Sequence, residues 1–155
     1  MAVGMPEDEF APGRLTIDAA MWEAIVAHLR QSLPNEGVGL LATDGNGASR
    51  RATRFFPGVN VDASPSRFTM DPSEVIDAFR EMRESGWTFG AIVHSHPATE
   101  PAPSATDARE AYYPDAFLLI VSFAGPQPAA RAWKCVTESN GRAIDFAEAS
   151  LEIRD

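Results

Sequence analysis

The sequence predicts an α/β (α+β) fold in which about three helices flank a mixed β-sheet of about six to seven strands. Three observations carry this prediction. Apolar residues recur at helical spacing in two stretches that begin with an acidic capping residue. Short β-rich runs separated by turn residues make up most of the remaining chain. The length of 155 residues fits one domain.

The first helix is predicted to begin after Asp18, which can serve as its N-cap, and to end near Ser32, shortly before Pro34. Its apolar residues repeat at the spacing of one helical face and predict a buried stripe. This stripe consists of Met21, Trp22, Ile25, Val26 and Leu29.

The second helix is predicted to begin at Asp71, where an acidic cap is followed by Pro72 and, three residues after the cap, by Glu74. Gly86 ends it. Its predicted core face consists of Val75, Ile76, Phe79 and Met82. A third, short helix is predicted over 104–112.

The strands are predicted from β-rich segments bounded by turns, with a hairpin turn over 44–47 and a buried central strand over 88–94. The segment 14–17 is either a short strand or an extended lead-in. The other strands are predicted over 36–43, 48–56, 67–70, 88–94, 117–123, 130–136 and 143–153. The order of the strands in the sheet does not follow from the sequence.

Composition excludes several classes of function. The acidic stretch 1–13 is predicted to be a flexible leader and 14–155 the folded domain, with no apolar run long enough to cross a membrane. Thirteen basic and 22 acidic residues give a net charge of −9, which disfavours nucleic acid as a partner. The single cysteine, Cys135, excludes an intramolecular disulfide and any multi-cysteine zinc site. We therefore expect a cytoplasmic protein.

His94 and His96 end the predicted central strand and are followed by Pro97. Residues two apart on a strand point to the same face, roughly 7 Å apart along the chain, so two imidazoles can converge on one metal ion. Pro97 keeps His96 extended. The same pattern also fits two surface or hydrogen-bonded histidines.

Ser104 and Asp107 lie three residues apart at the start of the third predicted helix, on one helical face. Asp107 can supply a third ligand, which would leave the fourth position of a catalytic zinc site open to water. The alternative is an ordinary helix cap, in which Ser104 binds the backbone and the acid favours the first turn.

These pieces occur together in one order. His94, Ser95, His96 and Pro97 are followed after six residues by Ser104 and then by Asp107. This pattern resembles the JAMM signature of the MPN-plus metallopeptidases, which is a glutamate, then His-x-His-x₁₀-Asp with a serine three before the acid. The stretch 34–41 resembles the strand that carries the catalytic glutamate of that family, with Val38-Gly39 where a cysteine-glycine is common.

The resemblance implies a zinc metallopeptidase of one MPN-type domain. It implies that Zn²⁺ is held by His94, His96 and Asp107, that Glu36 exchanges protons with the attacking water and leaving amine, and that Ser104 stabilises the oxyanion. Without the resemblance, Glu36 would be taken as a solvated carboxylate.

The chain is similar to the compact prokaryotic members of the family. The implied partner is a ubiquitin-like sulfur-carrier protein with a C-terminal Gly-Gly, from which cysteine or a similar adduct is released. Its tail is expected to add a strand to an exposed sheet edge. The alternatives are a deubiquitinase-like enzyme acting on isopeptide-linked conjugates, a non-catalytic MPN scaffold, and a nucleic-acid-associated relative. The oligomeric state stays open.

Other tempting residues are expected to be structural. His28 lies beside the apolar face of the first helix without a partner at ligand spacing, and Cys135 is expected to be a small core residue. Trp22, Trp87 and Trp133 are expected to pack in the core or to line the substrate groove.

Overall fold

The protein folds as a seven-stranded barrel with two long helices packed against it. The computed structural model describes residues 12–105, 107, 113–137 and 143–155. The elements are β1 (Arg14–Asp18), α1 (Ala19–Gln31), β2 (Val38–Thr43), β3 (Ser49–Gly58), α2 (Pro72–Ser85), β4 (Thr88–His96), β5 (Phe117–Ser122), β6 (Ala129–Thr137) and β7 (Ala143–Arg154). The predicted α+β class and mixed sheet are confirmed.

Parts of two predictions lie outside the described residues. Of the predicted leader, only residues 12 and 13 are described, and Gly13 accepts a hydrogen bond from the Ser150 amide at 2.9 Å. Of the predicted third helix, Ala105 and Asp107 are helical, and residues 106 and 108–112 are not described. Neither described helix has the length and apolar character needed to cross a membrane.

The sheet closes on itself, in the order β1-β3-β2-β4-β5-β6-β7 with β7 paired to β1. Three of the pairings are parallel, namely β1 with β3, β1 with β7 and β4 with β5, and the other four are antiparallel. The closure is incomplete at β3, because β1 pairs with only Ser49, Arg50 and Arg51 and the rest of β3 has a described strand partner on one side alone. The addition of a partner's tail to a sheet edge stays a prediction.

Two apolar cores lie on opposite faces of the central strands. On β4, Ala91 and Val93 belong to one core and Ile92 to the other, as the alternation of side chains along a strand requires. Ile25 and Leu29 of α1 are fully buried in the first core. The second core lies beneath α2 and includes Ala78 and Met82 of that helix.

The capping residues of both helices are those that the sequence predicts. Asp18 accepts a hydrogen bond from the Met21 amide at 2.7 Å, and Asp71 accepts one from the Ser73 amide at 2.9 Å. Gly86 ends α2 in the left-handed conformation, with φ of 74°, which glycine adopts without steric cost.

Two details of the prediction were wrong. Ile76 was assigned to the core face of α2, but its side chain is 59% exposed and Ala78 is buried in its place. Ala78 and Met82 are one helical turn apart and lie on the buried face. Ile76 does not share their spacing, so it lies to the side of that face. The predicted strand at 67–70 is reduced to a single bridge between Asn60 and Met70.

The phase of α2 can be tested with a matched pair of substitutions on that helix. Met82→Ala should lower the free energy of unfolding by about 2–5 kcal/mol, because Met82 is fully packed. Ile76→Ala should change it by less than about 0.5 kcal/mol. Urea denaturation followed by circular dichroism measures both, and equal losses would mean that the helix is rotated towards the predicted face.

Candidate metal centre

The end of β4 brings two imidazoles together. His94 and His96 lie on the same face of the strand, are both buried, and place their Nε2 atoms 3.2 Å apart. The strand is paired with β2 on one side, and on the other with β5 as far as His96. The backbone of both histidines is therefore fixed by the sheet.

Asp107 completes the cluster from outside the sheet. Its Oδ1 lies 3.2 Å from His94 Nε2 and its Oδ2 lies 3.3 Å from His96 Nε2. The three side chains form a group whose ligand atoms lie within 4.8 Å of one another. The pattern of two histidines and an acid therefore converges in space as the sequence predicted.

The helix-cap alternative is also present in the structure. The Ser104 amide donates to Asp107 Oδ2 at 2.8 Å, and the Asp107 amide donates to Ser104 Oγ at 3.1 Å. This reciprocal pair has the form of a capping box. The cap and the approach of Asp107 to the histidines occur together, because the carboxylate has enough lone pairs to accept from both.

The ring orientation of each histidine has a different cause. His96 Nδ1 lies 2.8 Å from the carbonyl oxygen of Glu100, so it donates there and turns its Nε2 lone pair towards the cluster. His94 is held by stacking on Phe68, with ring centroids 4.5 Å apart and an angle of 27° between the planes. Among the described residues, His94 Nδ1 has no hydrogen-bond partner.

Burial and charge pull the ionisation of these groups in opposite directions. Burial lowers the pKa of His94, with Asp107 opposing it. Burial also depresses the pKa of His96, but hydrogen bonds to Asp107 and to the Glu100 carbonyl, with the charges of Asp107 and Glu36, raise it overall. For Asp107 burial raises the pKa, yet hydrogen bonds to both histidines hold it well below its usual range. The site therefore contains an ionised carboxylate facing two imidazole nitrogens.

This donor set fits a divalent metal such as zinc. Ligands bound to tetrahedral zinc at about 2.0–2.2 Å lie about 3.3–3.5 Å from one another. The three contacts among the histidine nitrogens and the Asp107 oxygens are 3.2, 3.2 and 3.3 Å. Two imidazoles and one carboxylate are also the ligand types that zinc accepts in catalytic sites.

Glu36 lies before β2 rather than in it, since that strand begins at Val38. Val38 pairs with His94 in the antiparallel register, and continuing that register by two residues places Glu36 opposite His96, on the same face. The side chain of Glu36 is 4% exposed, and its charge acts on His96. The structure thus brings the predicted glutamate beside the histidine pair.

Ser95 joins the segment of Glu36 to the strand of the histidines. Its hydroxyl accepts a hydrogen bond from the Gly37 amide at 2.8 Å, and its own amide donates to the Gly37 carbonyl at 3.1 Å. The sequence indicated only a supporting role for this residue. Here that role is to fix the distance between the glutamate segment and β4.

The loop between His96 and Ser104 is anchored by two residues that the sequence did not single out for this task. Trp133 Nε1 donates to the Pro101 carbonyl at 2.9 Å, and Ser122 Oγ donates to the Thr99 carbonyl at 2.6 Å. Both anchors lie on strands far away in the sequence, so no local pattern reveals them. They set the position from which Asp107 reaches the histidines.

His28 and Cys135 have structural environments. His28 Nε2 lies 2.9 Å from the Val38 carbonyl and 3.1 Å from the Gly58 carbonyl, and so ties α1 to β2 and β3. Cys135 is half-buried, and burial raises the pKa of its thiol. A raised pKa leaves less thiolate at neutral pH, which argues against a nucleophile.

Comparison with known proteins agrees with this geometry. The family described as prokaryotic homologs of the JAB domain matches residues 18–136, which include Glu36, the two histidines and Asp107. The chain is similar to the solution structure of protein DSY2949 from Desulfitobacterium hafniense, with a TM-score of 0.78 and 37% identity. That match covers 91% of this chain and 93% of the other.

Two curated relatives are named for what they cleave. The chain is 38% identical over 112 residues to the CysO-cysteine peptidase of Mycobacterium tuberculosis, covering 72% of this chain and 75% of that protein. It is 33% identical over 114 residues to the desampylase of Haloferax volcanii, covering 70% of this chain and 81% of that protein. With the site geometry, these matches show that the chain belongs to the prokaryotic JAB-domain branch of the JAMM/MPN family.

Proposed function

We propose that this protein is a zinc metallopeptidase that hydrolyses the bond after the C-terminal diglycine of a ubiquitin-like protein, releasing cysteine or a similar adduct from a sulfur carrier. The observation that carries the proposal is the convergence of His94, His96 and Asp107 beside the buried Glu36. A hydrolytic zinc site needs three protein ligands and a nearby group that can transfer protons, and a buried acid can be that group.

His94, His96 and Asp107 would hold the metal. Bound zinc supplies Lewis acidity towards the scissile carbonyl and towards water. The chain supplies the charge that the metal needs, because Asp107 is ionised and its hydrogen bonds hold its pKa low. The Glu100 carbonyl fixes the tautomer in which His96 Nε2 is a ligand.

Glu36 is the proposed proton carrier. Its carboxylate takes a proton from the attacking water and returns it to the leaving amine, so the same group acts as base and then as acid. Its burial supports this role, since a carboxylate removed from bulk water keeps the transferred proton within the site. The pairing of Gly37 with Ser95 holds the carboxylate segment against β4.

Ser104 is the residue proposed to donate a hydrogen bond to the oxyanion. Its Oγ accepts a hydrogen bond from the Asp107 amide through one lone pair, and a hydroxyl that accepts in this way still has a proton to donate. The side chain is exposed, unlike those of the two histidines, and so can reach a bound carbonyl group. The cap would then orient the hydroxyl in advance, which strengthens stabilisation of the oxyanion.

The 38% identity to the protein named CysO-cysteine peptidase supports a carrier–cysteine substrate. We propose that the carrier's tail binds by adding a strand to a sheet edge near the metal centre. The net charge of −9 favours a carrier with a complementary basic face. We propose a cytoplasmic location, because the chain has a single cysteine and no apolar run long enough to cross a membrane.

Two other interpretations have less support. A non-catalytic scaffold would not need buried histidines and an ionised Asp107 packed together, because burying such groups is costly without a ligand. A nucleic-acid-associated function would have to overcome the net charge of −9.

The activity can be tested by intact-mass spectrometry of a diglycine-ended sulfur carrier bearing a C-terminal cysteine, incubated with the zinc-loaded protein. We expect loss of one cysteine residue from the carrier. Glu36→Gln should reduce the rate by about 10²–10⁴-fold, because it removes the proton carrier and keeps the shape. A chelator should abolish it. If zinc-loaded wild-type protein leaves the carrier intact, this substrate is wrong, and isopeptide-linked conjugates of the same carrier are the next arm.

Metal binding can be tested apart from activity. Zinc at about 100 times its Kd should stabilise the wild-type fold by about 2.7 kcal/mol, measured by thermal unfolding. Asp107→Asn should lose this gain while keeping the helix cap, since an amide oxygen still accepts from the Ser104 amide. Glu36→Gln is the matched control and should keep it. Equal stabilisation of Asp107→Asn and wild type would exclude Asp107 as a ligand.

The role of Ser104 can be separated from capping by comparing Ser104→Ala with Ser104→Gly. Glycine is tolerated at an N-cap at a cost of roughly a few tenths of a kcal/mol, whereas alanine costs about 0.5–2 kcal/mol. Both variants should lose about 10²–10³-fold in kcat, since both lack the hydroxyl. Near-normal kcat in Ser104→Gly would show that the residue serves only as a cap.

A further inference from the structure

Glu36 is held by a loop as well as by β4. Its amide donates to the Ser64 carbonyl at 2.8 Å, and its carbonyl accepts from Asn60 Nδ2 at 2.9 Å. Both backbone polar groups of Glu36 are therefore bound by the segment 59–70, called here the clamp loop. Because Glu36 precedes β2, it lacks the regular ladder of hydrogen bonds that fixes a residue within a strand.

Asn60 is the centre of this loop. Its Nδ2 donates to the Glu36 carbonyl and, at 3.0 Å, to the Arg67 carbonyl. Its Oδ1 accepts from the Asp62 amide at 3.1 Å and from the Thr69 amide at 3.0 Å. One amide side chain thus uses both donor hydrogens and both acceptor positions to join Glu36 to the two sides of the loop.

The backbone of the clamp loop is bent to reach Glu36. Ala63 has φ of +46°, a left-handed conformation that is unfavourable for a residue with a Cβ. The next residue, Ser64, supplies the carbonyl that accepts the Glu36 amide. Strain of this kind persists where the surrounding contacts determine the conformation, and here those contacts lead to the proposed proton carrier.

The clamp loop is itself attached to α2 and to its own far side. The Val59 amide donates to Glu74 Oε1 at 2.9 Å, and the Val59 carbonyl accepts from the Asp71 amide at 3.0 Å. The Val61 amide donates to the Thr69 carbonyl at 2.9 Å. The loop is therefore fixed at both ends and can transmit that rigidity to Glu36.

We propose that Asn60 is a positioning residue of the reaction, which through the clamp loop fixes the backbone of Glu36 and so aims its carboxylate at the metal centre. The inference rests on the proposed function of Glu36. Asn60 itself does not touch the ligand set: its side-chain bonds go to backbone groups. Phe68 of the same loop stacks on His94, so zinc affinity is measured beside kcat, and loss of Asn60 should lower kcat by more than it weakens zinc binding.

The test uses Asn60→Asp in the full chain. Aspartate has the same shape but lacks both donor hydrogens, so its oxygen would face the carbonyls of Glu36 and Arg67. Misplacing a catalytic group should lower kcat by about 10–100-fold, with KM little changed. Zinc stoichiometry should equal that of the wild type.

Asn35→Asp is the matched control, because Asn35 lines the same polar cleft as Asn60 and Glu36. It adds the same negative charge beside Glu36, and within the described part of the chain its side chain has no hydrogen bond to lose. We expect its kcat to stay within about twofold of wild type. A loss in Asn35→Asp as large as in Asn60→Asp would attribute the effect to charge and overturn the proposal.

Hydrogen exchange gives a readout that does not depend on activity. In Asn60→Asp the Glu36 amide should exchange at least about tenfold faster, while amides of Leu41 and Val93 in the paired strands should be unchanged. Ala63→Val is an independent variant that keeps Asn60 but disfavours the left-handed turn, and it should loosen the Glu36 amide as well.

The outcomes separate the two proposals. Unchanged Glu36 exchange with normal kcat in a folded Asn60→Asp protein would overturn the positioning role. If that variant does not fold, Ala63→Val decides by the same two measurements. If the wild-type protein cleaves neither the carrier–cysteine adduct nor the conjugate, the proposed function fails. In that case hydrogen exchange at the Glu36 amide still decides whether Asn60 and the clamp loop fix the backbone of Glu36. The positioning role of Asn60 in the reaction fails together with the proposed function.

Discussion

The antiparallel register between β2 and β4 is the constraint on which the candidate centre depends. Val38 lies opposite His94, and this pairing carries Glu36 to the position opposite His96. A shift of one residue would turn the histidines or the glutamate to the other face of the sheet. The register is maintained by burial, since Leu41, Ala91 and Val93 belong to one core while Val38 and Leu40 belong to the other. The same alternation that fills both cores therefore brings Glu36 and the two histidines to one face.

Gly37 shows how closely α1 is involved in this arrangement. A Cβ on residue 37 would lie 2.9 Å from Leu29 Cδ2 and 3.1 Å from Leu29 Cα, distances that side chains do not tolerate without movement. The helix can thus approach the segment of Glu36 only because that residue is glycine. Its amide is also the donor to Ser95. One glycine satisfies the packing of α1 and the attachment of the glutamate segment to β4.

The candidate centre has an electrostatic cost that the rest of the chain offsets only in part. His94 is fully buried and Asp107 nearly so, and removing such groups from water is unfavourable unless each is paired. Asp107 accepts from Ser104 and contacts both histidines, so its charge is well compensated. The histidines are compensated less well, because their Nε2 atoms face each other at 3.2 Å. A cation between these groups would remove that conflict, and for this reason folding and metal binding should be coupled.

Local chemistry made much of the fold and site predictable. Asp18, Asp71 and Gly86 each act within a few residues of themselves, so their roles at the helix ends follow from the sequence. That His94 and His96 share one face of the sheet likewise follows from strand geometry, whereas their burial and the approach of Asp107 do not. Barrel closure, the anchoring of the loop by Trp133, and the contacts of Asn60 depend on segments that are far apart along the chain. Such long-range pairings have no local signature. The prediction for Ile76 was wrong for a different reason, because apolar character cannot distinguish a residue on the core face from its neighbour.

Ser104 and Asp107 show why two local interpretations of one motif need not exclude each other. As a helix cap, the pair satisfies two amides that the first turn would otherwise leave without partners. As part of the centre, the same carboxylate directs Oδ1 to His94 and Oδ2 to His96. The cap fixes the rotation of the Asp107 side chain before any metal arrives, which lowers the entropy lost on binding. A serine and an acid three residues apart therefore serve folding and ligand geometry at once, and the spatial position of the histidines decides whether such a cap is also a candidate metal ligand.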